Sequence, residues 1–246
     1  MALRSGNPTL SSETFSDFGQ KPSSRIMTVG GAVNKSFIML ILLSVAAFFT
    51  WNAYNEGTEV IGFVGIAAVI GFVVALVTTF VKKVSPVTAP IYAILEGVVI
   101  GGISAYYESA YQGITQQAVL LTLGIFAGML FIYKSRIIRV TNKFRNGVIA
   151  ATLGIAIVYL LSFVLSFFGI QIPYLHEASP LGIAISIGIV IVASLNLMLD
   201  FDYIECGAQG GAPKYMEWYS AFALMVTLVW LYLEIIRLLA KIYRRN

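Results

Sequence analysis

Long apolar runs dominate this sequence and limit what it can fold into. Seven runs of about twenty residues follow one another, at 36–54, 59–81, 87–106, 114–133, 147–169, 180–200 and 219–242. A helix of about twenty residues rises about 30 Å, the thickness of the hydrocarbon core of a bilayer. Membrane barrel strands would instead alternate apolar and polar residues over about ten positions. The sequence therefore predicts an all-α integral membrane protein with seven transmembrane helices.

The composition agrees with a protein whose main partner is the lipid bilayer. Only 11% of the residues are charged, against about 25% in soluble domains. Residues 1–34 are rich in Ser, Gly and Pro and lack the apolar core of a signal peptide. We therefore expect a disordered cytoplasmic tail over 1–34 and a transmembrane domain over 35–246.

The basic residues indicate how the helices are oriented. Apart from four in the last run and at the C-terminus, they lie in the tail and in the loops after the second, fourth and sixth runs, whereas the loops after the first, third and fifth runs carry none. By the positive-inside rule the N-terminus is cytoplasmic. A seventh full span would then place Arg244 and Arg245 outside, and a re-entrant last segment is the alternative. The net charge of +4 therefore reflects the membrane topology, and we do not expect nucleic acid as a partner.

Glycines spaced four residues apart predict close helix packing in two of the runs. Gly97 and Gly101 lie in the third run, and Gly124 and Gly128 lie in the fourth. Such Gly-x-x-x-Gly spacings let two helix backbones approach each other in lipid.

Acidic residues within the apolar runs are the candidate functional groups. Asp200 closes the sixth run and Glu234 lies inside the last one, and Asn196 precedes Asp200 by one helical turn. Acids inside membrane spans are costly and usually face a cavity or a partner. Glu96, near the middle of the third run, has no Lys or Arg within the first six runs to pair with. It is either a neutral acid bonded to a neighbouring helix or part of a functional path.

The sequence does not determine which side chains these acids contact. Glu234 precedes Arg237 by three residues, which favours an ion pair within one helix. Counting residues from the helix ends leaves about 10 Å of depth between Glu234 and Asp200. Glu217, near the start of the last helix, is the alternative neighbour of Asp200. Asp202 and Glu205 are expected to be solvated in the headgroup region.

Three stretches resemble the Bax-inhibitor-1-like family, also called the transmembrane BAX-inhibitor-motif family, in its bacterial branch. The stretch DFDYI that begins at Asp200 is similar to the family pattern Asp-Thr-Gln-x-Ile, and LYLEII at 231–236 is similar to Leu-Tyr-Leu-Asp-Phe-Ile. The third stretch is LEG at 95–97, with Gly101 one turn later. Two positions depart from the patterns, because Glu234 replaces an Asp and Asp202 replaces a Gln.

The resemblance implies a fold, a location and an activity. The fold is a seven-helix bundle with the last helix packed centrally, and the location is the bacterial cytoplasmic membrane. The implied activity is a calcium leak that is gated by pH through two acids, one on helix six and one on helix seven, that share a proton. Carried over to this sequence, the two acids are Asp200 and Glu234.

Electrostatics predicts how a gate built from such a pair of acids would respond to pH. Two carboxylates that lie close together in a low dielectric cannot both ionise readily, so they share one proton. Loss of that proton leaves two negative charges that repel each other and offer oxygen ligands to Ca²⁺. We therefore predict a pH-sensitive cation leak with Asp200 and Glu234 as sensor and transient Ca²⁺ ligands. Asn196 and Glu96 are candidate path-lining residues, and Asp202, Glu217 and Arg237 are the alternative partners.

Two other functions remain open, a proton-coupled secondary transporter and a membrane scaffold or regulator that transports nothing. An enzyme is not expected, because the sequence lacks a Ser/His or Cys/His arrangement, a zinc-protease motif and a phosphate-binding loop. With a single cysteine, Cys206, and no Cys/His cluster, we expect no cofactor.

Overall fold

Seven long helices make up the structure, a computed structural model that describes residues 26–170, 172 and 177–245. They are α1 Val29–Asn55, α2 Ile61–Phe80, α3 Ser85–Ala110, α4 Ile114–Lys134, α5 Asn142–Ser166, α6 Pro180–Gln209 and α7 Met216–Arg245. All seven are long and apolar enough to cross a bilayer. Within the described residues the one β-type pairing is an isolated bridge between Ile26 and Pro213. The prediction of an all-α membrane protein with seven spanning helices is confirmed.

Short polar side chains begin three of the helices. The hydroxyl oxygens of Thr28, Thr141 and Ser179 each accept a hydrogen bond from a backbone N–H in the first turn of α1, α5 and α6. Such caps satisfy N–H groups that have no partner inside the helix. The cap at Thr28 starts α1 at Val29, so residues 29–34 of the predicted tail are helical. Of the rest of that tail, residues 26–28 are described and precede the helix, and residues 1–25 lie outside the described residues.

The last helix is continuous over Met216–Arg245. It therefore crosses the whole bundle, and the alternative of a re-entrant last segment does not apply.

We name the two ends of the bundle by the residues that lie there. The N-terminal end contains Thr28 and the turn between α6 and α7, and the C-terminal end contains Arg244 and the contact between the rings of Tyr111 and Tyr243, 5.7 Å apart.

Helix α7 occupies the centre of the bundle, as the family resemblance implied. It packs against α1, α3, α4 and α6, whereas α5 packs chiefly against α6. Phe222, Met225 and Leu231 of α7 are buried. By contrast, α2 and α5 present large apolar side chains such as Phe72 and Leu160 at the surface. A membrane helix can leave such side chains in contact with lipid, because lipid is as apolar as they are.

One of the two predicted glycine pairs brings helices into close contact. A Cβ at Gly97 would lie 2.3 Å from the carbonyl oxygen of Leu43, and a Cβ at Gly101 would lie 2.4 Å from that of Ala47. The backbones of α1 and α3 therefore touch along this face. Gly124 and Gly128 of α4 have no such neighbour within 4 Å, so the second predicted pair does not mark a helix contact in this chain.

Candidate functional site

Three acids of α6 and α7 are almost completely buried. Asp200 and Glu234 are each 1% exposed, and Glu217 is 0% exposed. Burying a carboxylate is costly unless it is hydrogen-bonded or neutralised. The partners of these three side chains therefore define what each of them does.

The register between α6 and α7 fixes the depth of each acid. Lys241 Nζ donates to Gly182 O at 3.1 Å and to Ser186 Oγ at 2.7 Å, so residue 241 of α7 is level with about residue 184 of α6. The two helices are antiparallel, which places Asp200 level with about residue 225 of α7. Glu234 then lies about 13 Å toward the C-terminal end, and Glu217 about 12 Å toward the N-terminal end.

Asp200 therefore pairs with neither of its two predicted partners in this structure. The hydrogen bonds that reach the Glu234 carboxylate within the described residues come from Tyr159, Trp230 and Arg237, and Asp200 is not among them. The predicted proton-sharing pair on helices six and seven is not formed. A Ca²⁺ ion bound by both carboxylates would require them to come much closer, and no group of three or more metal-ligating side chains exists in the described part of the chain.

Glu234 instead connects α7 to α5. Tyr159 Oη of α5 lies 2.9 Å from both carboxylate oxygens of Glu234. Arg237 Nη1, one turn further along α7, donates to the same carboxylate at 3.1 Å, so the predicted ion pair within one helix is present. Sequence reasoning missed Tyr159, because a tyrosine in an apolar run carries no mark of its partner.

Glu217 connects α7 to the segment that precedes α1. Its Oε1 accepts hydrogen bonds from the backbone N–H and the hydroxyl of Thr28, both at 3.0 Å, and from Lys214 Nζ at 2.7 Å. Met27 N–H donates to Ala212 O at 2.7 Å beside this contact. We call this set, residues 26–28 with Glu217 and the turn 212–214, the N-terminal clasp. It ties the start of the bundle to the turn between α6 and α7.

Replacing Gly31 by alanine should open the N-terminal clasp. A Cβ at Gly31 would lie 1.8 Å from Glu217 Oε1, so the carboxylate must move away from Thr28. We expect amide hydrogen exchange at Met27 and Thr28 to become about tenfold faster or more. Gly30→Ala is the matched control, because nothing lies within 4 Å of its Cβ position. Equal exchange rates in the two variants would show that Glu217 does not hold the clasp.

Asp202 and Glu205 are paired, which corrects the expectation that they are solvated. Arg145 Nη2 of α5 donates to Asp202 Oδ2 at 2.6 Å, and the two side chains are only 7% and 19% exposed. Glu205 accepts a hydrogen bond from Tyr133 of α4, and its Oε1 lies 3.8 Å from Arg136 Nη2. Both acids therefore bind α6 to neighbouring helices instead of facing only water.

Asn196 and Glu96 lie outside the groove and the cavity described next. Asn196 Nδ2 donates to Thr152 Oγ1 of α5 at 2.8 Å and to Val192 O at 2.9 Å. Glu96 faces α2, where its Oε2 is 3.7 Å from the Cβ position of Gly71. Neither residue lines the groove or the cavity described next. Their role as path-lining residues is not supported by this arrangement.

A groove of about 1390 Å³ runs between α1 and α4. Its walls extend from Val29 to Asn52 on α1 and from Thr115 to Lys134 on α4, and parts of α3, α6 and α7 form its floor. We call it the α1/α4 groove. Most of its lining is apolar, but oxygen-bearing side chains occur along its whole length: Ser36, Ser44, Ser104, Glu108, Thr115, Thr122, Asp202 and Glu205.

A smaller cavity of about 420 Å³ lies at the C-terminal end. We call it the C-terminal cavity. Tyrosines and charged side chains form much of its wall: Tyr106, Tyr107, Tyr111, Tyr159, Glu234, Arg237, Lys241 and Arg244. Sequence reasoning treated Arg244 only as a topology marker, although Arg237, Lys241 and Arg244 follow one another at helical spacing, and that spacing was the available signal.

Comparison with known proteins gives a family match over nearly the whole chain. The model of the family described as Bax inhibitor 1 like matches residues 7–244. No curated protein and no solved structure gives a significant match.

Proposed function

The chain belongs to the Bax inhibitor 1 like family of membrane proteins, and we propose that it is a pH-sensitive cation leak with Ca²⁺ as the conducted ion. In this proposal it lies in a bacterial cytoplasmic membrane with its N-terminus in the cytoplasm. The observation that carries the proposal is the α1/α4 groove. It is the route along which an ion could pass from one end of the bundle to the other.

The lining of the groove suits a hard cation. Ca²⁺ prefers oxygen ligands from carboxylates, carbonyls and water. Glu108 lies at the C-terminal end of the groove, and Asp202 and Glu205 lie at its N-terminal end. Serine and threonine hydroxyls occur between them. Lys134, Arg136 and Arg139 also line the N-terminal end, and their three positive charges exceed the two negative charges of Asp202 and Glu205. Passage of a cation there therefore requires these basic side chains to turn away from the groove, as the exposed Arg136 side chain is free to do.

Asp200 and Glu234 are the proposed pH-responsive groups, each acting at its own depth. Asp200 immediately precedes Phe201 and Asp202, which line the groove. Glu234 follows Tyr232, which lines the groove and hydrogen-bonds to Ser104 with an O–O distance of 2.6 Å. A change of charge on a buried carboxylate alters its bonds to the neighbouring helices. In this proposal, a change of charge on each acid moves one part of the groove wall.

Calcium flux into proteoliposomes tests this proposal over a pH range of about 5 to about 8. We expect a flux that changes with pH in the wild type. Asp200→Asn and Glu234→Gln should each remove part of the pH response, and the double variant should remove all of it, because the acids lie at separate depths. Glu56→Gln, an exposed residue of the loop after α1, is the control and should behave as the wild type.

The same assay distinguishes the alternatives. Loss of the whole pH response in either single variant would indicate one shared proton, hence a state in which the two acids meet. Flux that requires a proton gradient would indicate a coupled transporter. A silent wild type, with folding verified by circular dichroism, would contradict the leak and favour a scaffold or regulator.

A further inference from the structure

The C-terminal cavity carries an excess of positive charge. Of the described residues that line it, Arg237, Lys241 and Arg244 are cationic and Glu234 is the one acid, which gives a formal sum of +2. The three cations follow one another along α7 at spacings of four and three residues, so their side chains project from one face of the helix. The wall of this cavity therefore holds three basic side chains close together at the C-terminal end of the bundle.

The two inner cations are held in place by the protein. Lys241 is only 8% exposed, and its ammonium donates to Gly182 O and Ser186 Oγ of α6. Arg237 donates to Glu234, and its guanidinium lies 5.7 Å from the centre of the Tyr159 ring. Arg244, by contrast, belongs to none of the ion pairs among the described residues. The cavity thus has a fixed inner wall and an arginine at its edge.

Positive charge in a partly buried site is costly unless an anion compensates it. Arginine presents a planar fork of N–H donors that matches the oxygens of a phosphate group, and lysine is a compact donor for the same group. The hydroxyls of Tyr106, Tyr107 and Tyr111 add neutral donors to the wall, whereas that of Tyr159 already donates to Glu234. A space of about 420 Å³ admits an anion of several oxygen atoms.

From these features the geometry points to the C-terminal cavity as a binding site for a phosphate group. The phosphate is that of a lipid headgroup or of a soluble phosphate that enters from the same side of the membrane. Arg244 closes on it from the edge of the cavity, and Lys241 contributes positive charge from the inner wall. This site is separate from the α1/α4 groove and does not depend on whether the protein conducts cations.

Binding can be measured with the full chain in maltoside micelles, which contain no phosphate. One arm titrates inorganic phosphate by calorimetry, with sodium chloride at equal ionic strength as the reference. The other arm titrates phosphatidylglycerol and follows bound lipid by native mass spectrometry. Saturable binding in the first arm identifies a soluble phosphate as a ligand, and saturable binding in the second arm alone identifies a lipid headgroup.

The variants Arg244→Gln and Arg245→Gln form a matched pair. They remove the same charge from adjacent positions, but only Arg244 lines the cavity. We expect Arg244→Gln to weaken binding of the probe that binds the wild type, phosphate or phosphatidylglycerol, about tenfold, since it removes a charge-assisted hydrogen bond. We expect Arg245→Gln to leave that binding unchanged. Absence of binding in both arms, or an equal loss in the two variants, would overturn the proposal.

Discussion

Gly101→Ala should lower the free energy of unfolding by about 1–3 kcal/mol, because it forces a methyl group into a contact that has no space for it. The added Cβ would lie 2.4 Å from the carbonyl oxygen and 2.8 Å from the Cα of Ala47. Both are backbone atoms of α1, so the contact can relax only if the whole helix moves away from α3. Unfolding in micelles, followed by circular dichroism, measures the loss.

Gly124→Ala in α4 provides the control for this substitution. It makes the same chemical change within a spanning helix, but no neighbouring atom lies within 4 Å of the new Cβ. We expect no loss of stability, and alanine is favoured over glycine inside a helix by about 1 kcal/mol. If both variants lost the same stability, the contact between α1 and α3 would not be the cause.

The spanning helices could be predicted from the sequence because a bilayer imposes one requirement on every helix. Each must offer about twenty apolar residues, and the seven runs meet this requirement. The helix boundaries are set by local chemistry instead. Thr28 caps α1 and starts it at Val29, before the apolar run begins, and only the folded arrangement shows that Thr28 is also bound by Glu217.

The partners of the buried acids could not be predicted, because depth along one helix does not determine the neighbour on another. Counting residues gave about 10 Å between Asp200 and Glu234, and the register from Lys241 gives about 13 Å. That difference is small, but the counting could not show that Tyr159 occupies the place beside Glu234. Counting also could not show that Arg145 pairs with Asp202, because the apolar runs place Arg145 in the loop after the fourth run.

The glycine pairs illustrate the same limit in the packing of helices. The spacing of Gly97 and Gly101 equals that of Gly124 and Gly128, yet only the first pair meets another helix. Small residues permit close approach, but the neighbouring helix decides whether it occurs. In this chain α4 instead borders the groove that separates it from α1.

Asp202→Asn should destabilise the bundle by about 3 kcal/mol, because it removes the counter-charge of a buried arginine. Arg145 is 6% exposed, and its guanidinium would keep only a neutral partner in place of the carboxylate 2.6 Å away. The ion pair is also one of the few links between α5 and the rest of the bundle. We therefore expect the loss of stability to include easier release of α5, measured as faster hydrogen exchange in residues 142–166 than in α7.

The double variant Arg145→Leu with Asp202→Leu separates the ion pair from the two individual side chains. Removing both charges leaves no buried ion to compensate, and apolar replacement of such a pair is often neutral or stabilising. We expect the double variant to be more stable than Asp202→Asn and close to the wild type. Losses that simply add, in a cycle with Arg145→Leu and Asp202→Leu alone, would show that the two charges are not coupled. In that case the contact between α5 and α6 would rest on Asn196 and Thr152, whose side chains lie 2.8 Å apart.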